Sequence, residues 1–275
     1  MSSSSQEVVV NQPWTLNEAL GDALAFKPTW RKPRKPKVFL PRAVRPGEPL
    51  ESLGSGRRHV VLVMDSNGFN SVIKLPRLGQ NPYLKTEGHL QSIVRQRLLK
   101  YGSDIRVPSV LFYSHRWHPM DCLGAPRGLI HPHNALCMER IPSLSSRARS
   151  LLVEKLVPEN ERRAVRLNPM NKKLLARVYM GKSDYINSHR RIYQNAEVFT
   201  LCDVVLSVDD MFQIGLDLDK ISGDMGSALA IIHWSAMLDG RGVEFVLGST
   251  ERGQNALWLH DLDRCQFITL DMAGV

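Results

Sequence analysis

The sequence predicts an α+β fold in two lobes, a β-rich first lobe with one helix and a short, mainly helical second lobe. Three observations predict it. A strand–turn–strand signal spans 59–75, a single segment of helical apolar spacing follows it, and helical spacing then dominates the second half until a late strand pair near 243–247 and 257–262. A chain of 275 residues can build one large core or two lobes around a cleft. The expected divisions are an extended arm over 1–45, the first lobe over 46–141 and the second over 142–275.

The arm mixes Ser, Pro and basic side chains, including Trp30-Arg31-Lys32-Pro33-Arg34-Lys35-Pro36-Lys37, with little apolar periodicity. Its prolines suit an extended, solvated linker, and its Lys/Arg run suits a nuclear-localisation or nucleic-acid patch; both readings stand. The hairpin follows from the apolar run 59–64, the turn Asp65-Ser66-Asn67-Gly68 and the β-branched run 69–75. Leu90, Ile93, Val94, Leu98 and Leu99 then recur at helical spacing, which predicts a helix over 86–101 packed on that sheet. Two further strands are expected at 107–113 and 136–141, joined by a loop carrying Pro119, Gly124, Pro126, Gly128 and Pro132. Beyond Pro142 the stretches 145–157, 172–180 and 209–218 read as helical, with Pro158 and Pro169 as interruptions. Ile221, Met225, Leu229, Ile232 and Ala236 carry the same spacing up to Asp239-Gly240, where the glycine is a natural helix stop. His233 and Trp234 fall on this apolar helix and are expected as a core histidine and a packing indole.

A hydrophobic content of 43% and a mean hydropathy of −0.21 fit a globular chain, and no apolar run approaches the roughly 18 residues that a membrane helix needs. The polar start Met1-Ser-Ser-Ser-Ser-Gln6 lacks the charged and apolar regions of a secretory signal, so the expected location is intracellular, cytoplasmic or nuclear. Cysteines at 122, 137, 202 and 265 form no close pairs and are expected as reduced thiols. A formal charge of +9 favours acidic partners such as nucleotide phosphates or nucleic acid.

One constellation looks like chemistry. Asp239 is followed five positions later by Glu244, which opens the apolar run Glu244-Phe-Val-Leu247, and Asp261 comes one hairpin later. This resembles the catalytic loop and metal-binding strand of protein kinases and aminoglycoside phosphotransferases, with Glu244 where that pattern has Asn. The resemblance implies that Asp239 orients an acceptor hydroxyl as the catalytic base, that Glu244 and Asp261 ligate Mg²⁺ on ATP, and that Lys74 of Val72-Ile73-Lys74 neutralises phosphate beside a partner, Glu87. It further implies that Gly54 and Gly56 cover phosphates with backbone N–H groups, and that Cys137-Met138-Glu139-Arg140-Ile141 joins the lobes, with Glu139 in the segment that receives the adenine ring. A carboxylate in place of the neutral amide puts three acids close together, and without a cation their repulsion raises at least one pKa. The slot two residues before Asp239 holds Met237 rather than His, Leu262-Asp263 follows Asp261, and only fourteen residues follow it, so a short second lobe without an activation segment is expected.

The stretch 220–268 is also similar to a fungal domain family of unknown function whose members often carry the label zinc finger protein. Together the two resemblances imply a kinase-like fold with a degenerate centre: a non-catalytic or weakly active nucleotide-binding accessory protein of fungal metabolism, with a protein or small-molecule partner and no membrane contact. Alternatives are an active phosphotransferase, or a nucleic-acid-binding protein that uses residues 30–37. Zinc is not expected, because His115, His118, Cys122, His131, His133 and Cys137 fit no closed finger spacing.

Overall fold

In the computed structural model, residues 15–26, 52–55, 59–66, 69–77, 83–117, 133–181 and 204–269 are described. The basic run 30–37, Gly56, and the potential ligands His118, Cys122 and His131 lie outside them.

The first half builds a five-stranded antiparallel sheet from β1 (Ser52–Ser55), β2 (His59–Ser66), β3 (Phe69–Pro76), β4 (Val110–Trp117) and β5 (His133–Glu139), in the order β1-β2-β3-β5-β4. The hairpin falls where the turn signal placed it, with Val61 opposite Lys74 and Ser66 opposite Phe69. Alternation along β3 sends Ile73 and Leu75 into a cluster with Leu62, Ala135 and Cys137, while Val72 packs on the other face with Leu84, Leu136 and Met138. Leu84 is the first residue of helix α2 (Leu84–Lys100), so the Val72 face of β3, which Lys74 shares by period two, is the face that meets the start of this helix. Further along, α2 buries Leu90, Val94 and Leu98, each worth about 1.5–3 kcal/mol relative to exposure.

Three expectations are corrected by the structure. Inside the expected arm, Leu16–Leu24 forms a helix, α1, opened by a reciprocal capping box in which Thr15 and Glu18 satisfy each other's backbone N–H groups. Leu20 and Leu24 are fully buried, and Gly21 lies so close to Ile214 that an added Cβ would stand 2.0 Å from its carbonyl oxygen. The second half also holds more sheet than expected. It holds α3 (Ser146–Leu156), α4 (Arg162–Leu167), α5 (Val208–Gln213) and α6 (Leu218–Ala230), and also a four-stranded sheet ordered β10-β9-β6-β7. That sheet comprises β6 (Ala176–Val178), β7 (Val204–Leu206), β9 (Glu244–Ser249) and β10 (Asn255–His260), while β8 (Leu238–Asp239) pairs with β11 (Gln266–Phe267). The expected helix over 172–180 is in fact a 3₁₀ turn (Pro169–Lys173) followed by β6, whose Ala176 and Val178 alternate into the main core. Tertiary pairing with β7 and β9 overrides helix-favouring composition there. Finally, α6 passes into a π-helical turn (Ile231–Ser235) that leaves Trp234 62% exposed rather than packed in the core. Among the described residues no helix is long and apolar enough to cross a membrane.

Candidate functional site

Lys74 is the hub. It is nearly buried on β3, and its Nζ lies 2.7 Å from Glu87 Oε1 and 2.9 Å from Asp261 Oδ1. Strand alternation aims it at the first turn of α2, where Glu87 sits favourably against the positive helix end. Asp261 arrives from 187 positions away, immediately after β10. Its φ is +63°, a left-handed conformation uncommon outside glycine, and this turns the chain sharply as the strand ends.

The three charges do not balance equally. Burial opposes the Lys74 ammonium, yet Glu87 and Asp261 more than offset it and hold the group above the ordinary lysine range. Burial raises Glu87, which Lys74 only partly counters, whereas at Asp261 the same burial effect is outweighed by Lys74 and the carboxyl is lowered. One ammonium thus serves the more exposed acid better than the buried one. Glu87 Oε2 is buried and has no hydrogen-bond partner among the described residues.

Glu244 begins β9, directly opposite His260 on β10. Its Oε2 lies 3.0 Å from an Arg177 guanidinium nitrogen and 3.8 Å from His260 Nε2. Desolvation, aided by Lys74 and Arg177, pushes the His260 imidazole down to about 4 against the pull of Asp261, so it is neutral at pH 7 and Arg177 is the charge that Glu244 meets.

Asp239 ends β8 and accepts the Arg241 N–H at 3.0 Å through Oδ1, while Oδ2 pairs with the Arg241 guanidinium at 3.2 Å. It therefore shapes the turn into β9 as well as lining a pocket of about 570 Å³ with Leu229, Ala230, His233, Gly240 and Arg241. Lys74, Glu87 and Asp261 do not line that pocket. Cys265 ties the acids to one neighbourhood: burial first, then the carboxylates of Asp239, Asp263, Asp261 and Glu87, push its thiol up to about 12.

Of the remaining expected residues, Gly54 pairs with Val61 beside an irregularity in β1, at the junction leading to β2. Glu139 ends β5; its N–H donates to the Ser109 carbonyl at 2.8 Å, and its Oε2 accepts from both the Ser109 N–H and hydroxyl at 3.0 Å. The structure thus joins Lys74, Glu87 and Asp261 directly, and it gives Glu244, Asp239 and Glu139 partners of their own. Sequence reasoning missed Arg177 because β6 was read as helix; the alternating burial of Leu174, Ala176 and Val178 is seen only in the structure.

The two residues expected to ligate Mg²⁺ each hold a protein cation, Glu244 with Arg177 at 3.0 Å and Asp261 with Lys74 at 2.9 Å, so the set fits Mg²⁺ only in competition with those cations. No protein-family model matches the chain, and no curated protein matches it.

Proposed function

We propose that the chain is a bilobal, kinase-like module that receives the phosphates of a nucleotide at Lys74 and transfers a phosphoryl group slowly or not at all. One observation carries this reading: Lys74, Glu87 and Asp261, drawn from a strand, the helix after it and a distant hairpin end, meet within 2.9 Å through a single ammonium. The element order supports it, with β3 and α2 supplying the ion pair and β9–β10 delivering the third residue. Lys74 has a compact positive charge, and partial exposure of Asp261 leaves that charge an approach from solvent.

Weak or absent transfer follows from the other acids. Both Asp239 oxygens are engaged by Arg241, so this carboxylate is poorly placed to accept a hydroxyl proton, and Glu244 is neutralised by Arg177. The test is a thermal-shift titration with ATP, since a ligand that binds only the folded state raises the melting temperature. ATP is expected to stabilise the wild type and not Lys74→Ala, each compared with its own ligand-free state, with no phosphorylated product or free phosphate above background. No shift at millimolar ATP, or an equal shift in Lys74→Ala, refutes the binding reading; rapid turnover refutes the non-catalytic part.

A further inference from the structure

Resting on the kinase-like reading, in which Glu244 and Asp261 fall on the divalent-cation positions, we infer that the Arg177 guanidinium occupies the cation position at Glu244 and keeps the cleft from holding a divalent ion tightly. A carboxylate in place of a neutral amide adds a negative charge, and by itself strengthens the attraction for a hard cation. The fold answers that charge from within. Arg177 lies opposite Val246 in the β6–β9 pairing, and Glu244 is two residues from Val246, so period two puts both side chains on one face of the sheet. On the same face, Val246 packs with Trp258, Ala256 and Leu175, which fixes the strands on either side of the pair. Arg177 projects from a central strand and, although its side chain is 43% exposed, lies 3.0 Å from Glu244 Oε2. Lys74 meets Asp261 in the same way at 2.9 Å. A divalent ion at Glu244 meets a carboxylate whose charge is already met, and it meets the repulsion of the guanidinium as well.

The prediction is that removing Arg177 unmasks a metal site. Binding of Mn²⁺ alone, followed by the loss of the free-ion resonance signal, is measured on the full chain for the wild type, Arg177→Gln and the double variant Arg177→Gln/Glu244→Gln. Mn²⁺ affinity should rise at least about tenfold in Arg177→Gln and return to the wild-type level in the double variant. Arg177→Lys, which keeps the charge, should stay weak. If circular dichroism shows Arg177→Gln to be unfolded, Arg177→Met, which keeps the aliphatic packing, takes its place. Tight Mn²⁺ binding by the wild type, no gain on removing Arg177, or a gain that survives Glu244→Gln overturns the inference. No nucleotide enters this titration, so loss of ATP binding counts against the proposed function alone, whereas an ATP-binding wild type that also holds Mn²⁺ tightly refutes this inference alone.

Discussion

Replacing Lys74 by methionine removes the ammonium but keeps a long apolar stem between β3 and α2. Glu87, with 3% of its side chain exposed, then has no counter-charge, and breaking a buried pair in this way typically costs about 3–5 kcal/mol. The carboxyl has an escape, because it can take up a proton. From an ordinary value of 4.5, holding it protonated at pH 7 costs about 3.4 kcal/mol, at about 1.36 kcal/mol per pH unit, and this caps the penalty. Asp261, at 34% exposed, adds under about 1 kcal/mol because solvent screens it. Burial of the methionine stem recovers part of this, which leaves a net loss of about 2–3 kcal/mol at pH 7 and under about 1 kcal/mol at pH 5. Urea denaturation at the two pH values measures both numbers, and Lys74→Met/Glu87→Gln should regain most of the loss at pH 7 because no proton need be taken up. A penalty equal at pH 5 and pH 7, or one that Glu87→Gln leaves intact, refutes the charge argument.

Gly21→Ala should destabilise by about 2 kcal/mol or more, because its Cβ would stand 2.0 Å from the backbone oxygen of Ile214 and α1 must shift; urea midpoints check this, and an unchanged midpoint contradicts the docking of α1. Thr15→Ala, which removes the α1 cap, should cost about 1 kcal/mol by the same measurement, whereas no loss would mean that α1 contributes little to stability. His260 binds fewer protons folded than unfolded between about 4 and 6.5, so its contribution is fully present above pH 6.5 and is lost as the pH falls toward 4. His260→Gln should therefore show a shallower stability loss over that window than the wild type, and parallel pH profiles would contradict the depressed imidazole.

The hairpin and α2 were legible in the sequence because their signals are local: a turn tetrapeptide at 65–68 and apolar residues at helical spacing from Leu90 to Leu99. Lys74, Glu87 and Asp261 were named through the resemblance to the kinase pattern, since no local signal singles them out. Strand β6 was not legible, since three residues beside two lysines carry too little pattern, and their pairing with β7 and β9 comes from chain 25 or more positions away. Arg177 was lost with the strand, and with it the partner that changes the meaning of Glu244. Helix α1 was hidden differently: Thr15 and Glu18 spell a capping box, but nine residues inside a Ser/Pro-rich stretch read as arm, and their buried face is explained only by packing against α3 and Ile214. The exposed Trp234 was misjudged because membership of the helix was taken for burial: it lies two residues from both Ile232 and Ala236, about 200° away from the buried face they mark.

The central claim is the proposal that Lys74, paired with Glu87 and Asp261, receives nucleotide phosphate. Calorimetric titration of ATP into the wild type and into Lys74→Met/Glu87→Gln tests it most directly, since that double variant is expected to remain folded and lacks the ammonium while the net charge of the pair is unchanged. The account predicts measurable affinity in the wild type and at least about a tenfold loss in the double variant. Equal affinity in the two proteins, or no binding by the wild type, would contradict it.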